Sequence, residues 1–212
     1  MDRLETEDQQ LESLKRWWNA NGKSLLLGGG LAVLAVLGWR YWDQQQRVTA
    51  EHASAAYHNL LSRMASGDVS GAQERGAQII NEFGGTSYGE LTALVLAKLK
   101  ADEGDLQASR TYLQTVVDKS TDPGLQHVAR LRLARLMIAE DQVDQALAML
   151  QVDDKGSFMH IYTELQGDAY LAQGNNQQAV SAYQNALSQI PERLSKNQLQ
   201  AKLDDLGAGE TL

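Results

Sequence analysis

An apolar run near the amino terminus constrains this chain of 212 residues more than any other feature. The run extends from Ser24 to Trp39 and contains no charged residue. The interval from Trp18 to Trp39 is 21 residues. That length is about 31 Å of helix, close to one bilayer thickness, and amphipathic rings prefer the two bilayer surfaces. The sequence therefore predicts a transmembrane helix over residues 23–42, bracketed by all four tryptophans, Trp17, Trp18, Trp39 and Trp42.

Two other interpretations of this run fit its residues less well. A buried core helix would scatter its tryptophans instead of placing them at the two ends. A cleaved signal peptide begins with a short basic region, whereas more than twenty residues precede this run and five of the first twelve are acidic. The residues after the run are bulky, unlike a cleavage site. We therefore interpret the run as a permanent anchor.

The orientation of the anchor follows from its flanking basic residues. Lys15, Arg16 and Lys23 precede the run, whereas Arg40 and Arg47 follow it. Basic residues favour the cytoplasmic side of a membrane. The excess of one basic residue before the run predicts a single-pass protein with a cytoplasmic amino terminus. The chain after Trp42 would then lie on the far side of the membrane.

Composition restricts the class of partner. The chain contains no cysteine, so neither a disulfide nor thiolate chemistry is available. Five basic and five acidic residues precede position 43, so the remainder carries 14 basic and 22 acidic residues, a net charge of −8. Such a segment repels phosphate backbones, and nucleic acid is not expected as a partner.

The part after the anchor is predicted to consist of paired helices. Its last copy matches the G-x2-Y, A-x3-aromatic and closing-proline pattern of the tetratricopeptide repeat. Thr163 and Gln166 stand where that repeat usually has a tryptophan and a leucine. The matching residues are Gly167, Tyr170, Gly174, Ala179, Tyr183, Ala186 and Pro191.

Earlier copies align on the small residue that corresponds to Ala179. These are Ala146, Ser109 and Ala72, at intervals of 33, 37 and 37 residues. Two antiparallel helices approach closely only where their side chains are small, and larger residues then fill the space between successive pairs. The sequence therefore predicts an all-α protein with one N-terminal transmembrane helix followed by a tetratricopeptide-repeat-like α-solenoid.

The predicted segments follow from these patterns. They are a cytoplasmic amphipathic tail (1–22), the transmembrane helix (23–42), a repeat domain of about four helix pairs (43–191) and a C-terminal capping helix and tail (192–212). The predicted helices after the anchor span 44–66, 69–83, 87–102, 105–118, 124–140, 142–151, 157–173, 175–189 and about 192–206. The tail is either an amphipathic helix on the inner leaflet, with Leu4, Leu11, Leu14 and Trp18 on one face, or a solvated segment.

Small residues line one face of the predicted membrane helix. Gly28, Ala32 and Ala35 would allow a second helix to approach closely in the bilayer, where packing drives association. The alternative is that glycine is merely tolerated in a spanning helix.

The sequence offers no motif for catalysis or metal binding. Its four histidines stand alone, without an H-E-x-x-H or G-x-S-x-G pattern. Acidic pairs fall in predicted turns, where their charge is solvated. We expect no catalytic, cofactor-binding or metal-binding residues, no small-molecule substrate and a role in binding other proteins.

The concave face of such a stack is predicted to be largely aliphatic. The first helix of each pair lines that face and would suit an apolar peptide or an amphipathic helix. The alternative is that these side chains pack against neighbouring helices of the chain itself. The candidate partner-binding residues are Leu91, Leu94, Val128, Leu131, Arg135, Ile138, Ile161 and Leu171. The same alignment places Lys98, Ala101, Glu164 and Asp168 on this face.

The whole chain resembles the bacterial YfgM family. The resemblance rests on the tail ending in 15-KRWW-18, the glycine-rich span leaving through 38-GWRYW-42, Tyr57, the 86-TSYG-89 segment and 131-LRLAR-135. It implies an inner-membrane protein with a periplasmic repeat domain that associates with the SecYEG translocon and the chaperone PpiD. Such a protein would help pass emerging, still unfolded chains to periplasmic chaperones. The alternative is an envelope scaffold that holds only folded proteins near the membrane.

Overall fold

The chain is helical in the computed structural model, which describes residues 7–191 and 194–208. No strand occurs among these residues, which confirms the all-α prediction. Residues 1–6 of the predicted tail, with Leu4, lie outside the described residues, as do 192, 193 and 209–212. The helices are α1 (Glu7–Ala65), α2 (Val69–Phe83), α3 (Ser87–Asp102), α4 (Leu106–Lys119), α5 (Pro123–Ala139), α6 (Val143–Met149), α7 (Met159–Ala172), α8 (Asn176–Gln189) and α9 (Asn197–Asp205), with a 3-10 turn at Gly156–Phe158.

The described chain forms two compact units, which divide between His52 and Ala53. The first unit consists of most of α1. Within the described residues, α1 is the one helix long and apolar enough to cross a membrane. Its leucines are exposed along the apolar run, with Leu31 at 67% and Leu34 at 66%. An exposed apolar surface of this length is typical of a helix surrounded by lipid.

The second unit is a succession of packed helix pairs. The pairs are α3 with α4, α5 with α6, and α7 with α8, followed by α9. The end of α1 pairs with α2, because Ala56 and Leu60 share a hydrophobic cluster with Ala72 and Ile79. The first helices of neighbouring pairs also touch, α3 against α5 and α5 against α7. This arrangement stacks the pairs so that each buries its apolar face against the next.

The small residues that set the repeat interval lie at the helix crossings. Ala72, Ser109, Ala146 and Ala179 are all at most 1% exposed. Large side chains such as Leu113 fill the space between pairs. The predicted steric basis of the repeat is therefore present in all four pairs.

The turn inside each pair has the same geometry in all four repeats. Gly67, Gly104 and Gly174 adopt φ values of +78°, +84° and +76°, and Asp141 takes the same place with φ +61°. In each turn the next residue's N–H donates to a carbonyl five residues back, as in Gln142 N–H to Met137 O (2.8 Å). This left-handed position suits glycine, and Asp141 adopts it at a conformational cost.

Asp141→Gly is therefore expected to stabilise the second unit by about 1 kcal/mol, because glycine relieves the strained backbone. The measurement is urea unfolding followed by far-UV circular dichroism. The converse substitution, Gly104→Asp, should lower the free energy of unfolding by a similar amount. Equal stability of Asp141→Gly and the parent chain would mean that Asp141 is not strained.

The last helix begins later than the sequence predicts. The expected start near residue 192 is replaced by a start at Asn197. Leu194, before this start, is 45% exposed and adds no packing, and the Ser195 hydroxyl accepts the N–H of Asn197 (3.3 Å), which has no acceptor within the helix. From Asn197 on, Leu199 and Leu203 pack against Ala179, Tyr183 and Ala186 of α8.

Candidate partner-binding cleft

An open cleft of about 320 Å³ lies between α3 and α5, with α4 beneath it. Its apolar lining consists of Ala97, Ala101, Leu113 and Leu136, with the hydroxyl-bearing Ser109 beside them. Three cations complete it: Lys98, Arg132 and Arg135. Its size is at the lower end of the range for ligand pockets, so it has room for one or two side chains and not for a folded surface.

Small side chains create the cleft. Ala97 and Ala101 stand one turn apart on α3, so this helix presents little bulk toward Leu136 of α5. Leu113 of α4 is 2% exposed and belongs to the main hydrophobic cluster of the second unit. The floor of the cleft is therefore continuous with the core and has a fixed shape.

The three cations differ in how they are neutralised. Lys98 Nζ lies 2.6 Å from Asp102 Oδ2. Arg132 donates to the Leu94 carbonyl (3.0 Å), whereas Arg135 has neither a hydrogen bond nor an ion pair with the described residues. Burial, with a contribution from the charge of Arg135, lowers the pKa of Arg132. The two guanidinium groups thus repel each other at the rim of an apolar cleft.

Comparison with known proteins places the chain in a family. The family described as "Tetratricopeptide repeat-like domain" matches residues 15–208. A curated protein of Escherichia coli K12, named "Ancillary SecYEG translocon subunit", is 33% identical over 97% of this chain and 99% of its own length. The chain belongs to the YfgM family. The predicted resemblance and the tetratricopeptide-repeat-like fold class are confirmed.

Further relatives agree with this assignment. Proteins of the same name from Aggregatibacter actinomycetemcomitans and Haemophilus influenzae are 30% and 29% identical over 94% and 91% of this chain, and over 97% and 96% of their own lengths. A solved structure, MamA 41-end from Desulfovibrio magneticus RS-1, superposes with a TM-score of 0.54 at 16% identity, covering 75% of this chain and 88% of that one. The latter similarity concerns the fold alone. Accessory subunits of this kind are a non-catalytic type of protein.

The eight residues predicted from sequence to bind a partner have different environments in this YfgM-family chain. Leu94 and Leu131 are 5% and 3% exposed and belong to two hydrophobic clusters. The structure brings only Arg135 of the eight to the cleft. The partner-binding role of the others stays a prediction. Leu91, Val128, Ile138 and Ile161 are half-buried, and Leu171 is exposed.

Sequence reasoning missed five lining residues: Ala97, Ser109, Leu113, Arg132 and Leu136. The alignment on small crossing residues did place Lys98, Ala101 and Arg135 on the inner face. On α5 the cleft side runs through Arg132, Arg135 and Leu136. The available signal was the pair of arginines three residues apart, because such residues share one helix face.

The inner face of the last pair is engaged by the chain's own C-terminal helix. Lys202 of α9 contacts Glu164 Oε1 (2.7 Å) and Asp168 Oδ1 (2.6 Å) of α7. Tyr183 of α8 is fully buried and donates its hydroxyl to Asp168 Oδ1 (2.7 Å). These bonds join three helices, so part of the face predicted to bind a partner is covered here.

The Lys202 network predicts a loss of stability at alkaline pH. Burial, reinforced by Asp168, raises the pKa of Tyr183. Burial alone would lower the pKa of Lys202, but its bonds to Asp168 and Glu164 outweigh burial and raise it. In the unfolded chain both groups release their protons near pH 10, before the folded chain does. The stabilisation is therefore complete below about pH 10 and is lost as the pH rises toward the folded-state pKa values.

The measurement is the free energy of unfolding in urea at pH 8 and above pH 10. The Tyr183→Phe/Lys202→Met variant should be less stable at pH 8 and should show a smaller decrease with pH than the parent chain. If the free energy of unfolding decreases equally with pH in the two proteins, Tyr183 and Lys202 do not contribute to the pH dependence of stability.

No group of three or more metal-ligating side chains occurs among the described residues. Acidic residues of the repeat turns act instead as helix caps. Asp105 accepts the N–H of Ala108 (3.0 Å), and Asp122 accepts those of Gly124 (2.7 Å) and Leu125 (3.2 Å). These contacts give the carboxylates of the turns a structural role.

Proposed function

We propose that this chain is a translocon accessory protein, anchored in the inner membrane with its amino terminus in the cytoplasm and its repeat domain in the periplasm. The observation that carries the proposal is the 33% identity over nearly the whole chain to a protein named ancillary SecYEG translocon subunit. The tryptophan-bracketed apolar helix supports membrane anchoring. The excess of basic residues before the span supports the orientation.

The proposal includes a role for the repeat domain. It would bind the periplasmic chaperone PpiD and help pass emerging chains from SecYEG to the periplasmic chaperones. The cleft between α3 and α5 supports this role, because an apolar recess whose floor belongs to the core suits an anchoring side chain of a partner.

One observation favours a scaffold that holds only folded partners. Leu94 and Leu131, which would form the wall of a groove for unfolded chains, are buried in the core. The remaining cleft accepts one or two side chains and not an extended apolar segment. A scaffold needs no more than such a recess.

The decisive experiment for translocon association is affinity purification of the tagged full-length chain from membranes in mild detergent. SecYEG and PpiD are quantified by mass spectrometry against an unrelated tagged single-pass protein. We expect both to be enriched. SecYEG at the level of the control would overturn the proposal.

Binding of an unfolded protein separates the two roles. The full-length chain in nanodiscs is titrated with fluorescently labelled, reduced and unfolded α-lactalbumin, and separately with purified PpiD. Binding to both supports the hand-over role. Binding to PpiD alone supports the scaffold.

The small-residue face of the span is proposed to pack a partner helix. A Cβ at Gly28 would meet nothing within 4 Å, and Ala32 and Ala35 are exposed, so this face is uncovered in the single chain. Gly28→Leu together with Ala32→Leu should reduce the recovery of SecYEG or PpiD in the purification above, because bulk prevents close approach. Unchanged recovery of both SecYEG and PpiD would mean that the small residues are tolerated in the membrane helix and do not form a packing face.

A further inference from the structure

We infer that the cleft between α3 and α5 binds a partner segment that places an aliphatic side chain beside a carboxylate. The inference rests on the proposed function and names the chemistry of the partner at that site.

The first argument is the shape of the cleft. Two alanines on α3 face Leu136 on α5 across a floor formed by Leu113. The volume of about 320 Å³ matches one or two aliphatic side chains from a partner. A partner helix or strand would insert these side chains while its backbone stays outside.

The second argument is the charge at the rim. Arg135 has no counter-charge among the described residues, and Arg132 uses one N–H on the Leu94 carbonyl while its other donors remain available. Lys98 is already paired with Asp102. Two close guanidinium groups repel each other, and a carboxylate between them would satisfy both.

The third argument is the contrast with the remaining surface. Residues 43–212 carry a net charge of −8, so most of this part of the chain repels an acidic partner. Arginine binds carboxylates through paired N–H donors, which adds orientation to the attraction. An acidic segment would therefore be steered toward this cleft and held there in one orientation.

The test uses three fluorescein-labelled peptides about 15 residues long, enough to form a helix. The first has leucines along one face and glutamates beside them. The second replaces the glutamates by glutamines, and the third replaces the leucines by serines. Binding to the full-length chain in nanodiscs is measured by fluorescence anisotropy at several salt concentrations.

We expect the first peptide to bind about tenfold or more tightly than the second, since a hydrogen bond to a charged group contributes that much. The third should bind at least about tenfold more weakly than the first, because the apolar lining would be left unfilled. Arg135→Gln should remove most of the preference for glutamate, and Arg132→Gln should do the same. Arg130→Gln, on the same helix but outside the cleft, should bind like the parent chain.

Three results would overturn the inference. They are equal binding of the glutamate and glutamine peptides, equal binding of the leucine and serine peptides, and unchanged discrimination in Arg135→Gln. Arg135 has neither a hydrogen bond nor an ion pair with the described residues. Loss of discrimination with an unchanged thermal midpoint therefore reports binding and not unfolding. Recovery of SecYEG is a separate readout. If the chain discriminates between the peptides but SecYEG is not enriched in the purification, only the proposed function is overturned. If SecYEG is enriched but the chain does not discriminate between the peptides, only the assignment of the cleft is overturned.

Discussion

Gly167→Ala is expected to destabilise the repeat domain by about 2 kcal/mol. A Cβ at Gly167 would lie 2.6 Å from Tyr183 Cδ1 and 3.2 Å from Cζ. Tyr183 is fully buried, and its hydroxyl is held by Asp168, so the ring has little freedom to move away. Alanine favours the helix by about 1 kcal/mol over glycine, but the clash exceeds this gain. Urea unfolding measures the difference in free energy of unfolding between Gly167→Ala and the parent chain.

Gly85→Ala is the matched control, because its Cβ would meet nothing within 4 Å. Its stability should stay within about 0.5 kcal/mol of the parent chain. Combining Gly167→Ala with Tyr183→Leu should cost less than the two separate losses added together, since a smaller side chain relieves the clash. Equal stability of Gly167→Ala and Gly85→Ala would contradict the crossing geometry of α7 and α8.

Arginines in the apolar run are expected to abolish membrane integration. Leu31→Arg and Leu34→Arg each cost about 2.5–3.5 kcal/mol at the centre of a spanning helix, so the double variant loses roughly twice that. Both side chains are exposed in the single chain, so they contribute no core that folding needs. We expect the double variant to be extracted from membranes by alkaline carbonate, whereas the parent chain stays in the pellet.

Asn19→Arg/Ala20→Arg adds the same two charges outside the apolar run and should remain in the membrane pellet. This control separates the position of the charges from their number. Retention of the Leu31→Arg/Leu34→Arg protein in the carbonate pellet would contradict a transmembrane role for this helix.

The fold could be predicted because steric demands appear directly in the sequence. Close helix crossings require small residues, and Ala72, Ser109, Ala146 and Ala179 stand at regular intervals and are buried as expected. The late start of α9 was not predicted, because Leu194 continues the pattern of Leu199 and Leu203 toward the amino terminus, but its side chain is exposed and buries nothing.

One turn shows how tertiary structure replaces a sequence signal. Three of the four turns inside the pairs carry glycine in the left-handed position, and the fourth carries Asp141. The backbone bonds that close the turn are the same, so the stack imposes the conformation even where glycine is absent. The helix boundary near Asp141 was still predictable from the interval between repeats.

The candidate site could be predicted only in part. Repeat alignment placed Lys98, Ala101 and Arg135 on the inner face, and all three line the cleft. The alignment could not tell which inner leucines face the open side, because both sides of a first helix are apolar. Leu94 and Leu131 turn into the core, and the cleft instead uses alanines that leave space.

The most direct test of the account is site-specific photo-crosslinking from position 136 of the full-length chain in intact cells. Leu136 lines the cleft, whereas Ala148 on α6 is exposed elsewhere and serves as the control position. The account predicts adducts with a SecYEG subunit or PpiD from position 136, no such adducts from position 148, and fewer adducts from position 136 when Arg135 is replaced by glutamine. Labels at position 136 that reach only the chain's own residues would contradict it.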